Sequence, residues 1–268
     1  MNAIASELVQ LRSLRTRYAL SGKPGAPTLM FCNSLMADMS MWNRVASHLD
    51  GDWRLLRYDM RGHGGSDAPP GDYTVADLAL DAIDLLDYLQ LSNVHLVGIS
   101  LGGMVALQMA AHQPQRFASL TIGDTGTQLS AEARQAWDER SRQARAHGVQ
   151  ALADATLERW FTEGFPDRAP AVAQEVRHML LSVRPEGYAG CAAAIRDLDI
   201  DDTPERIRLR TLFLHGRKDG AWPEAGARAL AARLHAQLGF VEDAGHIPCI
   251  EQPSAYAGAL RTFLEHGT

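Results

Sequence analysis

A mostly apolar run, Val94-His-Leu-Val-Gly-Ile99, passes through Gly98-Ile-Ser100-Leu-Gly102 straight into Leu101–His112, a stretch that is apolar nearly all round. A short apolar run bounded by turn residues reads as a strand buried on both faces, as in a parallel sheet. A helix without a polar face must also lie inside the molecule. Two enclosed elements joined by so tight a turn belong at the centre of a layered α/β domain. Pro114 ends the helix.

The same rhythm recurs. Short apolar runs at 28–32, 54–58, 117–122 and 211–215, and a last one at 238–242, predict further strands. Between them Val75, Leu78, Ala79, Ala82, Ile83 and Leu86 repeat at helical spacing and offer one apolar stripe. Thr74 and Asp77 form a capping-box pattern with Asp where Glu or Gln is usual. From about 128 to 204 only helices are predicted, over 130–146, 149–161, 171–181 after Pro170, and 185–198. The fold class that follows is α/β: a doubly wound, mostly parallel sheet formed by 1–127 and 205–268, with a helical cap at 128–204. The cap should sit over the carboxyl ends of the strands, where such sheets bind ligands. A chain of 268 residues suits one such unit.

Composition removes several alternatives. The net charge is −6 and no stretch is rich in Lys or Arg, so a nucleic-acid footprint is missing. Cys32, Cys191 and Cys249 are scattered, which argues against a disulfide framework and against a zinc site. Residues 1–10 have neither the basic nor the apolar region of a leader. No apolar run approaches the ~18 residues of a membrane span. The cytoplasm is the expected compartment, and neither metal nor cofactor is called for.

The chemistry centres on Ser100. The form G-x-S-x-G is weak alone, but between a strand and a helix it is the setting of a nucleophile elbow. Serine needs an adjacent base at neutral pH. His246, in Asp243-Ala-Gly-His246-Ile-Pro248 after the last predicted strand, is the candidate. His48, His112, His147, His178, His235 and His266 fall on or at the ends of helices, and His95 lies inside a strand. His63 in a turn reads as structural, and His215 in Leu214-His-Gly216 as a decoy. An acid must orient the imidazole. Asp219, a few residues past the strand at 211–215, is preferred to Asp124 because the order Ser, Asp, His is that of the α/β-hydrolase motif. For the oxyanion, the donors expected are the backbone N–H groups of Leu101 and of Leu35, in Cys32-Asn-Ser-Leu-Met36.

Over nearly its full length the chain resembles the α/β-hydrolases, and among them the 3-oxoadipate enol-lactonases. Superfamily features are Arg57-Tyr-Asp-Met-Arg-Gly-His-Gly64 with Ser66, the elbow, and Gly245-His246. Closer features are Asn33-Ser-Leu35, Met41-Trp42, the stretch 153–162, and Pro185-Glu-Gly-Tyr-Ala-Gly-Cys191 with Ile195 and Asp197. Departures are Met36 where those lactonases usually carry Gly, Gly123-Asp-Thr-Gly126 in place of an Asn-Thr-Ala stretch, and Arg217-Lys-Asp-Gly-Ala-Trp-Pro223 around the acid. The resemblance implies a small ester or lactone substrate and a place in aromatic catabolism. Met36 and Trp160 are candidate pocket residues, Trp160 equally an anchor between cap helices. A carboxylate-bearing lactone also wants a cation, for which the cap offers Arg134, Arg159, Arg177 and Arg196. The same residues would serve a carboxylesterase, a thioesterase or a cofactor-free perhydrolase, and a ligand sensor on this scaffold is a further alternative. Dehalogenase and epoxide-hydrolase chemistry needs a carboxylate where Ser100 stands.

Overall fold

The structure, a computed structural model, describes residues 5–49 and 51–266. The first four residues of the stretch read for a leader therefore lie outside the described residues. No helix in the described part is long and apolar enough to cross a membrane.

Eight strands form one sheet: β1 Glu7–Gln10, β2 Arg15–Gly22, β3 Thr28–Cys32, β4 Arg54–Tyr58, β5 Val94–Ile99, β6 Phe117–Gly123, β7 Thr211–Gly216 and β8 Gln237–Val241, in the order β1-β2-β4-β3-β5-β6-β7-β8. From β4 across to β8 every pairing is parallel; β1 and β2 are antiparallel additions at one edge. The strands read from short apolar runs are β3 to β8, and β3 and β7 are buried at every position. The last strand starts and ends one residue earlier than predicted. β1 and β2 escape an apolar-run search. In β2, Arg15 and Arg17 alternate with buried Thr16 and Tyr18, the signature of an antiparallel strand facing water on one side.

Eleven helices in the described residues complete the chain: α1 Asn43–Leu49, α2 Val75–Tyr88, α3 Leu101–His112, α4 Ala131–His147, α5 Gln150–Trp160, α6 Phe165–Arg168, α7 Pro170–Leu181, α8 Pro185–Arg196, α9 Glu224–Arg233, α10 Pro248–Glu251 and α11 Pro253–Glu265. α2 packs on α3 and α1 on α11, as helices flanking a doubly wound sheet do. The capping box at α2 is complete: the Thr74 hydroxyl accepts from the Asp77 N–H, and the Asp77 carboxylate accepts from the Thr74 N–H. Such a cap is worth about 1 kcal/mol. α3 buries Leu101 through Leu107 without interruption, each buried Leu side chain contributing roughly 1.5–3 kcal/mol.

α4 to α8 fall between β6 and β7. α8 is their centre, buried from Gly187 to Ile195. Its small residues 189–194 let α4 pack closely along it, while α5 packs on α7. A bridge between Gln128 and Asp199, with the Ile200 N–H donating to the Thr127 carbonyl at 3.2 Å, holds the two ends of this helical segment side by side. α6 was unforeseen, because one helical turn is too short to show periodicity.

Candidate active site

β5 ends at Ile99 and α3 begins at Leu101, so Ser100 alone turns the chain. Its backbone takes φ 57° and ψ −124°. A non-glycine residue in such a conformation costs of order 1–3 kcal/mol and persists only where its surroundings impose it. Here they do. The Ser100 N–H donates to the Gly123 carbonyl at 3.1 Å, and the Ser100 carbonyl accepts from the Thr125 hydroxyl at 2.8 Å. Any Cβ at position 102 would lie 2.1 Å from the Cys32 carbonyl oxygen, so glycine there is what lets α3 abut β3.

The loop after β3 is equally fixed. Buried Asn33 donates through Nδ2 to the Tyr58 carbonyl (2.7 Å) and accepts from Trp42 Nε1 (2.9 Å). The Met36 N–H donates to His63 Nε2 at 3.0 Å, while His63 Nδ1 faces the Arg61 carbonyl at 3.1 Å. Burial lowers the His63 pKa to about 4, so the ring is a neutral strut, in keeping with a structural histidine. With the Met36 N–H engaged, the Leu35 N–H in the same loop has no acceptor among the described residues. The Leu101 N–H opens α3 and has no intrahelical partner either. Both expected oxyanion donors are therefore uncommitted.

His246 Nδ1 lies 2.9 Å from Asp219 Oδ2, and both side chains are buried. Asp219 Oδ1 accepts from the Ala221 N–H at 2.7 Å. Burial pulls the His246 pKa down, but the Asp219 carboxylate outweighs it and leaves it raised. Burial likewise pushes Asp219 up, and His246 more than reverses this. The rival acid does not reach the same ring. Asp124 Oδ1 accepts from the Gly216 N–H at 2.9 Å and lies 3.1 Å from His215 Nδ1. His215, read as a decoy for an oxyanion loop, lies within β7 and forms half of a second buried pair. Asp124, His215 and Asp219 are also the group in the described residues whose spacing could hold a metal ion. Asp124 Oδ1 and both Asp219 oxygens are engaged by Gly216, Ala221 and His246, while Asp124 Oδ2 has no hydrogen-bond partner among the described residues.

Ser100 and His246 line one cleft of about 470 Å³, with Leu35, Met36, Met104, Tyr188, Ile195 and Trp222 among its walls. Met36 is fully buried, and its sulfur accepts from the Thr156 hydroxyl at 3.6 Å. Trp160 lines the cleft, and its carbonyl accepts from the Ile247 N–H, in the loop after β8, at 3.2 Å. Two of the sequence departures are one structural change. A Cβ at Gly126 would lie 2.1 Å from the Trp222 ring, so the small residue at 126 makes room for the indole that walls the cleft.

Of the four arginines expected on the cap, only Arg159 lines the cleft. The other three are corrected. Arg134 donates to the carbonyls of Arg196 and Leu198, Arg177 pairs with Asp154, and Arg196 pairs with Asp72, Asp138 and Asp197. The second cleft arginine, Arg140, was missed. Its signal was Ala133, Ala136, Trp137 and Arg140, an i, i+3, i+4, i+7 stripe on α4 that turns wholly into the cleft. The Arg140 guanidinium lies 4.5 Å over the Trp137 ring. Arg159 is an exposed residue overall, yet desolvation of its guanidinium, then Arg140, lowers its pKa. Arg159 donates to the Thr156 hydroxyl at 3.0 Å, and neither arginine has a carboxylate at ion-pair distance among the described residues. Among the described residues no Asp or Glu lines the cleft.

A larger groove of about 580 Å³ lies apart from Ser100, along α1 and α7. Arg44 and Glu175 pair within it at 2.6 Å, and its Arg17 pairs with Asp59 at 3.5 Å.

A parallel sheet with a strained serine between its central strand and a buried helix defines an α/β enzyme scaffold of the hydrolase type. Residues 27–253 match the family model described as alpha/beta hydrolase fold, and the chain belongs to that family. It is similar to 3-oxoadipate enol-lactonase 2 of Acinetobacter baylyi, 34% identical over 249 residues that cover 92% of each chain. It is also similar to the crystal structure of the enol-lactonase from Burkholderia xenovorans, with TM-score 0.92, 32% identity, and 97% of this chain and 100% of that one covered. A thermophilic esterase from Thermogutta terrifontis, solved with malate bound, matches with TM-score 0.91 and 28% identity over 98% of this chain and 99% of that one.

Proposed function

We propose that the chain is a serine hydrolase of carboxylic esters, an enol-lactonase-like enzyme whose substrate carries a free carboxylate. The carrying observation is the pair Arg140 and Arg159, two cations without carboxylate partners in the cleft that holds Ser100. Like charges kept together in a partly desolvated cleft repel, and an anionic substrate relieves that cost. Malate, bound by the Thermogutta terrifontis esterase, is itself a dicarboxylate.

In this reading Ser100 Oγ attacks the lactone carbonyl while His246 Nε2 takes its proton. The carbonyl π electrons move onto oxygen, where the Leu35 and Leu101 N–H groups receive them. Asp219 holds the resulting imidazolium. Collapse breaks the ring C–O bond, and His246 returns its proton to the departing enolate oxygen. Water, deprotonated by His246, then attacks the acyl-serine, and the proton passes back to Ser100. Residues 128–204 act as a cap on a core of 1–127 and 205–268, enclosing both ends of a substrate whose leaving group stays tethered. The three buried, unpaired cysteines support a cytoplasmic setting.

The experiment is Arg140→Gln with Arg159→Gln, assayed on an enol-lactone bearing a carboxylate and on a neutral aryl ester. A charge-assisted hydrogen bond is worth ~1.5–3 kcal/mol, so each loss should raise KM for the anionic lactone roughly 10- to 100-fold. Neutral-ester hydrolysis should change less than about threefold. Equal losses on both substrates would remove the anion site. An open-chain ester of a dicarboxylic acid, included in the panel, distinguishes an esterase from a lactonase.

The base also predicts a pH dependence. His246 acts only when neutral, and its pKa is raised by Asp219. A raised pKa moves the acid limb upward, so kcat/KM for a neutral ester should fall with an apparent pKa above the ordinary imidazole value of about 6.5. An acid limb well below that value would show that Asp219 does not govern the base.

A further inference from the structure

We infer that Asp124 and His215 are positioning residues, a second buried Asp–His pair behind Asp219 that holds the acid and the base of the hydrolase in their working arrangement. The inference rests on the serine-hydrolase reading above.

The geometry places the pair where it can do little else. Asp124 follows β6 at φ 51°, in the left-handed region that Asp tolerates better than most residues. Its chain neighbours, Gly123 and Thr125, both bond the Ser100 backbone, at its N–H and its carbonyl. Its carboxylate accepts from the Gly216 N–H at the end of β7, beside His215 and ahead of Asp219. Ligand atoms of Asp124, His215 and Asp219 all lie within 4.8 Å of one another, and Asp219 continues to His246 at 2.9 Å. Four buried residues thus form one row from β6 to the loop after β8.

The row is under-bonded. Asp124 Oδ2 and His215 Nε2 have no hydrogen-bond partner among the described residues, and the 3.1 Å contact of His215 Nδ1 with Asp124 is off the line of a good hydrogen bond. An unpaired buried polar atom is costly, and here two of them adjoin the acid that orients the base. Two carboxylates this close and this buried also resist being ionised together. Burial, with Asp219 nearby, pushes Asp124 up to about 7, and Asp124 outweighs burial to leave His215 raised. Asp124 therefore changes charge near neutral pH, beside the catalytic acid, and when ionised it raises the base.

The other groups facing this row are accounted for. Cys249 of α10 and Tyr256 of α11 face Asp124, and burial holds both well above their ordinary pKa, hence neutral. Arg159 of α5 faces His246 and lowers its pKa. That leaves Asp124 and Asp219 as the groups that raise it.

The test uses the full chain and p-nitrophenyl acetate in a pH-stat, so that Arg140 and Arg159 play no part. Asp124→Asn keeps the shape and the acceptor for Gly216 but removes the charge. It should move the acid limb of kcat/KM to lower pH by roughly half a unit to one unit. It should also lower kcat several-fold with KM nearly unchanged. His215→Gln should move the limb in the same direction, because without His215 the buried Asp124 carboxylate protonates more readily and no longer raises His246, and the double variant should move it no further. Limbs that overlay the parent in folded Asp124→Asn and His215→Gln would overturn the inference. So would failure of both to fold by circular dichroism, which would make the pair a structural staple. Ser100→Ala runs beside them: if it stays active the serine-hydrolase reading itself fails, whereas an inactive Ser100→Ala with unmoved limbs defeats only the role of the pair.

Discussion

Ser100→Ala is expected to lower kcat for any ester or lactone substrate by on the order of 10⁶, the loss seen when the nucleophile of a triad acting as a unit is removed. The substitution is unusually clean at this site. Alanine has the same backbone preferences as serine, so it inherits the strain at φ 57° and adds little to it. The bonds that fix residue 100, from its N–H to Gly123 and from Thr125 to its carbonyl, are kept because neither uses the hydroxyl. Folding and KM should therefore be nearly unchanged, and the loss should sit in kcat. Some catalysis over water, about 10³–10⁴-fold, should remain from the oxyanion donors and the binding cleft. A kcat loss under about tenfold would end the acyl-enzyme mechanism. Steady turnover by the parent chain would in turn dispose of a ligand sensor, which needs at most one slow event.

The parts of this molecule that were legible in the sequence are those where burial leaves no freedom. β3, β5, β6 and β7 are enclosed on both faces, so their sequences are short, mostly apolar runs. β1 and β2 lie at an edge, and their alternation of charged and buried residues is spread over too few positions to stand out. Ser100, Asp219 and His246 could be proposed because each follows a strand; the fold brings Asp219 to His246 and sets Ser100 and His246 in one cleft. The cleft cations were harder. Arg140 lies on α4, which buries only Ser141 and Ala144 and looks solvated on every side. The fold, not the helix's own composition, turns its stripe of Ala133, Ala136, Trp137 and Arg140 inward. Arg134 and Arg196, equally plausible by position, are consumed by carbonyls and carboxylates that come from distant segments. A net charge of −6 gave no hint that the cleft itself carries cations and no acid.

Asp219→Asn should lower kcat by roughly 10⁴, and it should do so although Asp124 lies close by. An asparagine at 219 can still reach His246 Nδ1, but its amide can donate as well as accept. Donation to Nδ1 would place the imidazole proton on Nε2, where it can no longer take the proton of Ser100. The imidazolium that forms in the transition state would also lose the carboxylate that now raises the His246 pKa. Asp124 cannot step in by rotating, because its Oδ1 is fixed by the Gly216 N–H at 2.9 Å and its nearest imidazole is His215. The comparison with Asp124→Asn separates the two acids: several-fold loss there against about ten-thousand-fold at 219. A folded Asp219→Asn that kept more than a tenth of the parent kcat would move the role of acid away from Asp219. In that outcome the double variant Asp124→Asn with Asp219→Asn decides, since activity lost only in the double would assign the imidazolium to the second carboxylate of the buried row.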